Sequence, residues 1–87
     1  MKSIALPSFW RAFGSLDAEV QAQARLAYAK FMTDPGHPSL HFKKLRGSQD
    51  CWSVRVNDHY RSVGWRDGDT IRWFWIGTHN EFDKRFT

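Results

Sequence analysis

Cysteine is nearly missing from this chain: Cys51 stands alone among 87 residues. One thiol closes no internal disulfide, and no Cys/His spacing resembles a zinc site, so disulfide scaffolds and zinc modules are excluded. A reducing, cytoplasmic location is the expectation. Long apolar runs are missing as well. The N-terminal stretch MKSIALPSFW has one lysine and a short apolar segment that Pro7 interrupts, which is neither a signal peptide nor a membrane span. No repeat, linker or low-complexity tract occurs, and a chain of this length has room for a single hydrophobic core, so residues 1–87 read as one domain. The histidines, His37, His41, His59 and His79, are scattered, and neither a metal nor another cofactor is expected.

Large side chains, by contrast, are plentiful. Five Trp, seven Phe and two Tyr bury enough area each for a core that needs no cross-link. Charge is unevenly spread. Residues 1–40 carry four Lys/Arg against three acidic groups, residues 41–66 six against two, and residues 67–87 three against four. The net +4 is therefore the surplus of the middle third. A local basic band suits a polyanionic partner, because neutralising phosphates releases counterions. A solvated basic face accounts for the charge equally well.

Local patterns suggest an order of elements. KSIAL reads as a short first strand. PSFWRAFG reads as a short helix, with Ser8 as N-cap and Gly14 as the left-handed stop. In SLDAEVQAQARLAYAKFM, the residues Leu16, Val20, Ala24, Ala27 and Phe31 draw one apolar stripe of a longer helix. Ser15 is its expected cap, and TDPGHP stops it. The period then changes. SLHFKKL, CWSVRV, YRSVGWR and TIRWFWIG are β-branched and aromatic runs between turn-formers, and RDGDT is a hairpin signal. The tail THNEFDKRF reads as a final helical turn or an ordered extension. The expected fold is α+β: two N-terminal helices packed on one face of a small, mainly antiparallel sheet of three to four strands.

That order, together with HPSLHFKKLRG, CWSVRV, HYRSVGW and WIGTHNEFDKRF, resembles the RelE/ParE superfamily, the toxins of type II toxin–antitoxin systems. The resemblance spans nearly the whole chain. It is most specific at Tyr60-Arg61 and at Gly77-Thr78-His79. RelE-like members are ribosome-dependent mRNA endoribonucleases, whereas ParE-like members poison DNA gyrase by binding it, and a cognate antitoxin protein neutralises both. The resemblance implies a toxin that cleaves mRNA without metal. A gyrase inhibitor is the alternative, and a non-toxic relative that binds RNA or an antitoxin is a third reading. It also implies that Arg61 meets the scissile phosphate, that Arg55 is the basic residue of the preceding strand, and that His79 is an acid or base. Ser53 stands where a lysine is frequent, and Phe82 where a tyrosine is frequent, so two proton-transfer groups are lacking.

The residue types fit such chemistry. Histidine transfers protons near neutrality, and arginine offers a permanently charged fork that matches two phosphate oxygens. Lys43, Lys44 and Arg46 are the expected RNA-positioning charges beside Arg61, Arg55 and His79. Whether the two arginines share a face depends on the hairpin loop. An even loop aligns Val54 and Trp52 with Val63 and Trp65 and separates the arginines; an odd loop or a bulge brings them together. The resemblance favours the shared face. Finally, Trp73, Phe74, Trp75 and Ile76 follow one another, so the sheet needs a second cover. The C-terminal segment, a second protomer or an antitoxin segment would supply it.

Overall fold

The computed structural model describes all 87 residues. Strand β1 (Lys2–Ala5) leads into helix α1 (Pro7–Gly14) and helix α2 (Ala18–Thr33). A single 3-10 turn (Pro38–Leu40) precedes β2 (Lys43–Lys44), β3 (Cys51–Arg55), β4 (Tyr60–Asp67) and β5 (Thr70–Thr78). Helix α3 (His79–Phe86) follows β5 without a loop.

The sheet has five strands in the order β1-β5-β4-β3-β2, and β1 runs parallel to β5. It is therefore mixed and larger than the expected three or four antiparallel strands, and there are three helices rather than two. The reason is physical. A parallel neighbour is separated from its partner by most of the chain, so no turn in the sequence announces it. Here Leu6 N donates to Trp73 O at 2.9 Å, and Ser8 Oγ to Phe74 O at 2.8 Å, fixing the β1–α1 corner on β5. Ser8 thus serves tertiary structure. The N-cap is Leu6, with Pro7 in the first turn, where its missing N–H is not needed. Gly14 is the last residue of α1, without positive φ. The cap of α2 is Asp17, whose carboxylate accepts from Val20 N at 2.9 Å, rather than Ser15.

Helices α1 and α2 cover one face of the sheet. Ala27 and Phe31 pack on Val54, Ile71 and Trp73, while Phe13 and Ala24 pack on Ile76. The stripe expected along α2 is the buried one: Val20, Ala24, Ala27 and Phe31 are its buried residues. On the other face, Phe82 of α3 packs with Leu45, Val63 and Trp75. The C-terminal segment is thus the second cover. A capping box starts it, with Thr78 accepting from Glu81 N and Glu81 reaching back to Thr78 N.

A register shift reconciles the run from Trp73 to Ile76 with two covers. Val63 pairs with Trp75 but Gly64 with Trp73, so Phe74 is the extra residue of a bulge. Trp73 and Ile76 consequently join the α1/α2 side, and Phe74 and Trp75 the α3 side.

Candidate active site

The β3–β4 hairpin decides the arrangement of the arginines. Val56 N donates to Tyr60 O at 3.0 Å, closing a three-residue loop of Asn57, Asp58 and His59. Asn57 holds it, because its Oδ1 accepts from His59 N at 2.8 Å and Tyr60 N at 2.9 Å. The loop is odd, and Arg55 is the direct register partner of Arg61. Direct partners in an antiparallel pair project from the same face. The same register sends Val54 to the α1/α2 core and Val63 to the α3 core, so the alignment of those two valines is not adopted.

Arg61 lies opposite Gly77 of β5, two residues before His79. His79 opens α3, and its backbone N–H donates to His59 O at 2.7 Å, tying the helix start to the hairpin loop. Phe82 packs on Val63, on the same face as Arg61. The three expected catalytic residues thus gather at one corner of the sheet, where β3, β4, β5 and α3 meet. Lys43 is the register partner of Ser53 and shares the Arg61 face; Lys44 pairs with Trp52 and points to the other face. Lys43, Lys44 and Arg46 are exposed, and all three border a groove at the β2 edge that Phe82 and Phe86 also line.

Every charged group of the corner has an internal partner. Arg55 is ion-paired with Asp58, whose carboxyl is held below its ordinary value of 3.8 first by the hydrogen bond and then by the charge of Arg55. Arg61 Nη1 donates to Asn57 O at 2.6 Å and Tyr60 O at 3.0 Å. Partial burial lowers the pKa of Arg61, and the neighbouring charge of Arg55 adds to that, against Asp58 and Asp83. Arginine starts so high that it stays charged regardless. His79 Nε2 lies 3.4 Å from Asp83 Oδ1, one turn along α3. Ser53 and Phe82 are both buried and offer no further acid or base.

Asp58, Asp83 and Asn57 are the residues that sequence reasoning missed. Asp83 had a signal, since positions four apart share a helix face, but it required reading THNEFDKRF as a full helix. Asn57-Asp58 had the composition of a turn, and only the turn's hydrogen bonds reveal its parity. The corner as built holds two guanidinium groups on one strand pair and an imidazole beside them, a set suited to an anion such as a phosphodiester.

Comparisons agree with this architecture. The RelE of a RelB–RelE antitoxin–toxin complex from Methanococcus jannaschii superposes with a TM-score of 0.76 at 15% identity, over 97% of this chain and 99% of that one. A YoeB/ParE toxin from Agrobacterium tumefaciens gives 0.68 at 19% identity, over 91% and 99%. The intact Escherichia coli RelBE toxin–antitoxin complex gives 0.66 at 18% identity, over 87% and 93%. At such identities the likeness is one of fold. No curated protein matches the chain. The family model of the ParE-like toxin domain, however, matches residues 18–84, from the start of α2 into α3. The chain therefore belongs to the ParE-like toxin domain family, within the RelE/ParE superfamily of type II toxin–antitoxin toxins.

Proposed function

We propose that this toxin is a metal-free, ribosome-dependent mRNA endoribonuclease. The observation that carries the reading is the direct pairing of Arg55 with Arg61 on one face, at the corner where His79 begins α3. RNA cleavage by internal attack needs a base to take the 2′-hydroxyl proton. The 2′ oxygen then bonds to phosphorus as the bond to the 5′ oxygen breaks, and an acid protonates that leaving oxygen. Arg61 grips the non-bridging oxygens and steadies the charge that develops on them. Arg55 adds a second positive charge, His79 transfers a proton, and Lys43 and Arg46 guide the flanking strand. One positioned acid or base contributes about 10²–10⁴-fold. With Ser53 and Phe82 in their places, His79 is the one proton-transfer side chain of the set, and the ribosome supplies the rest.

The cognate antitoxin is the expected protein partner. Relatives of this fold are found as RelB–RelE complexes, and the internal salt links of the corner are of the kind that an acidic segment would compete with. No helix of this chain is long and apolar enough to cross a membrane, which suits a target in the cytoplasm.

A second reading has an observation of its own. Arg55, Arg61 and His79 are all engaged by internal partners, and two proton-transfer side chains are lacking. A DNA gyrase inhibitor of ParE type needs neither free cations nor an acid and base. Growth arrest on expression without antitoxin, with new 5′ ends inside messages, supports the nuclease. Arrest with intact messages and loss of supercoiling by purified gyrase supports the inhibitor.

A further inference from the structure

The fold divides the six Lys/Arg of residues 41–66 into two groups. Arg55 and Arg61 are bound to their own loop. Lys43, Lys44, Arg46 and Arg66 enter neither of the two ion pairs, which are Arg55–Asp58 and His79–Asp83. The unneutralised part of the basic band therefore lies towards the β2 edge, away from the Arg61 corner.

At that edge, on the face opposite Arg61, cations meet aromatic rings. Lys44 is the register partner of Trp52, and Trp52 lies opposite Gly64. Arg66 leans over this pair of rings, its Cζ 4.6 Å from the Trp52 ring centroid and 5.7 Å from that of Phe42. The Phe42 and Trp52 rings are 4.8 Å apart and tilted by 35°, and Phe42 meets buried Phe31 edge-on at 5.0 Å. The result is a ladder rooted in the core that ends in a guanidinium plane. Arg66 Nε donates to Gly68 O at 3.1 Å, which fixes the plane, while its terminal nitrogens donate to no protein atom. The nearest acidic residues along the chain leave it free: Asp50 gives Arg66 N only its backbone carbonyl, at 2.8 Å, and neither Asp50 nor Asp67 forms an ion pair.

We propose that Lys44, Arg66 and Trp52 form a second, non-catalytic binding strip for single-stranded RNA on the sheet face opposite Arg61. Phosphates lie against Lys44 and the free nitrogens of Arg66, and a base stacks on the guanidinium plane that Trp52 supports. Arginine planes and aromatic faces are the surfaces on which unpaired bases stack. A guanidinium already held in place loses little freedom on binding. The strip extends the proposed function without depending on it, since it grips RNA whether or not the Arg61 corner cleaves.

The test is the binding of a fluorescent 2′-O-methyl oligouridine, which lacks the attacking hydroxyl, followed by anisotropy across a salt series. The double variant Lys44→Gln/Arg66→Gln should weaken binding about tenfold and lower the salt slope by about 1.4, at about 0.7 for each lost single-strand phosphate contact. Arg66→Lys, which keeps the charge and guards against a folding defect, should keep the slope but lose affinity. Trp52 emission should change on binding in the parent and not in Trp52→Phe. Parent-like affinity and slope in the folded double variant would overturn the proposal. So would equal losses for oligouridine and inorganic polyphosphate, which would mean charge without stacking. Message cleavage by the parent separates the two readings: intact messages together with weakened oligouridine binding in the double variant remove the nuclease and support the strip, whereas cleaved messages together with parent-like binding in the double variant support the nuclease and overturn the strip.

Discussion

Arg55 and Arg61 face each other as direct register partners across the β3–β4 hairpin, two like charges brought together by a three-residue loop. The fold tolerates this because Asp58 takes Arg55, and the carbonyls of Asn57 in the loop and Tyr60 at the start of β4 take Arg61. Isolated like charges directly opposite are destabilising.

Asp58 makes the hairpin sensitive to acid. Its folded pKa lies below the ordinary 3.8, so its contribution is fully present above that value and is lost as pH falls through the lowered one. Thermal melts of the parent and Asp58→Asn should differ at neutral pH and converge in strong acid. Because Asp58 is exposed, raising salt should shrink the difference. Curves that stay apart at the acid end would show that the carboxylate is not the cause.

Gly77, the register partner of Arg61, makes room for the Trp75 side chain. A Cβ there would overlap the indole of Trp75, which packs beneath α3 with Phe82. Gly77→Ala should therefore displace Trp75 and destabilise the protein by about 1–3 kcal/mol. Gly64→Ala should act through the bulge instead, because its Cβ would lie 2.9 Å from Arg72 O and from Ile71 Cγ1. Chemical denaturation of both variants, with Gly14→Ala as the control that has nothing within 4 Å, measures the difference.

Helix α3 can be loosened in two places. Thr78→Ala removes the capping-box acceptor for Glu81 N and should lower stability by about 1 kcal/mol. Phe82→Ala empties a buried position against Val63 and Trp75 and should cost about 3–5 kcal/mol. If α3 positions His79, both should reduce toxicity at temperatures where the sheet remains folded. Hydrogen exchange of the α3 amides, compared with those of β4 and β5, separates helix opening from global unfolding.

Much of this fold was legible in the sequence where the signal is local. The α2 stripe of Val20, Ala24, Ala27 and Phe31 is buried as its spacing implies, and Asp67-Gly68 lies at the β4–β5 turn, with Gly68 at positive φ. Long-range partners were not legible. β1 lies parallel to β5 with most of the chain between them, and Ser8, the expected cap of α1, is drawn instead to Phe74 O of β5. SLHFKKL, which looked like one strand, divides into the 3-10 turn and the short β2, because His41 takes a left-handed conformation between them. At the site, residue types pointed to Arg55, Arg61 and His79, but the shared face follows from hydrogen bonds of Asn57 that no periodicity encodes.

Arg61 tests the central claim most directly. Arg61 can be replaced in a folded protein, since its guanidinium is held by two backbone carbonyls at the hairpin end rather than by the core. Messages from cells expressing the parent, Arg61→Lys or Arg61→Ala should be compared by primer extension, with circular dichroism melts of each purified protein. The account predicts new 5′ ends with the parent, fewer with Arg61→Lys, which keeps charge but not the fork, and none with a folded Arg61→Ala. Undiminished cleavage by a folded Arg61→Ala protein would contradict it.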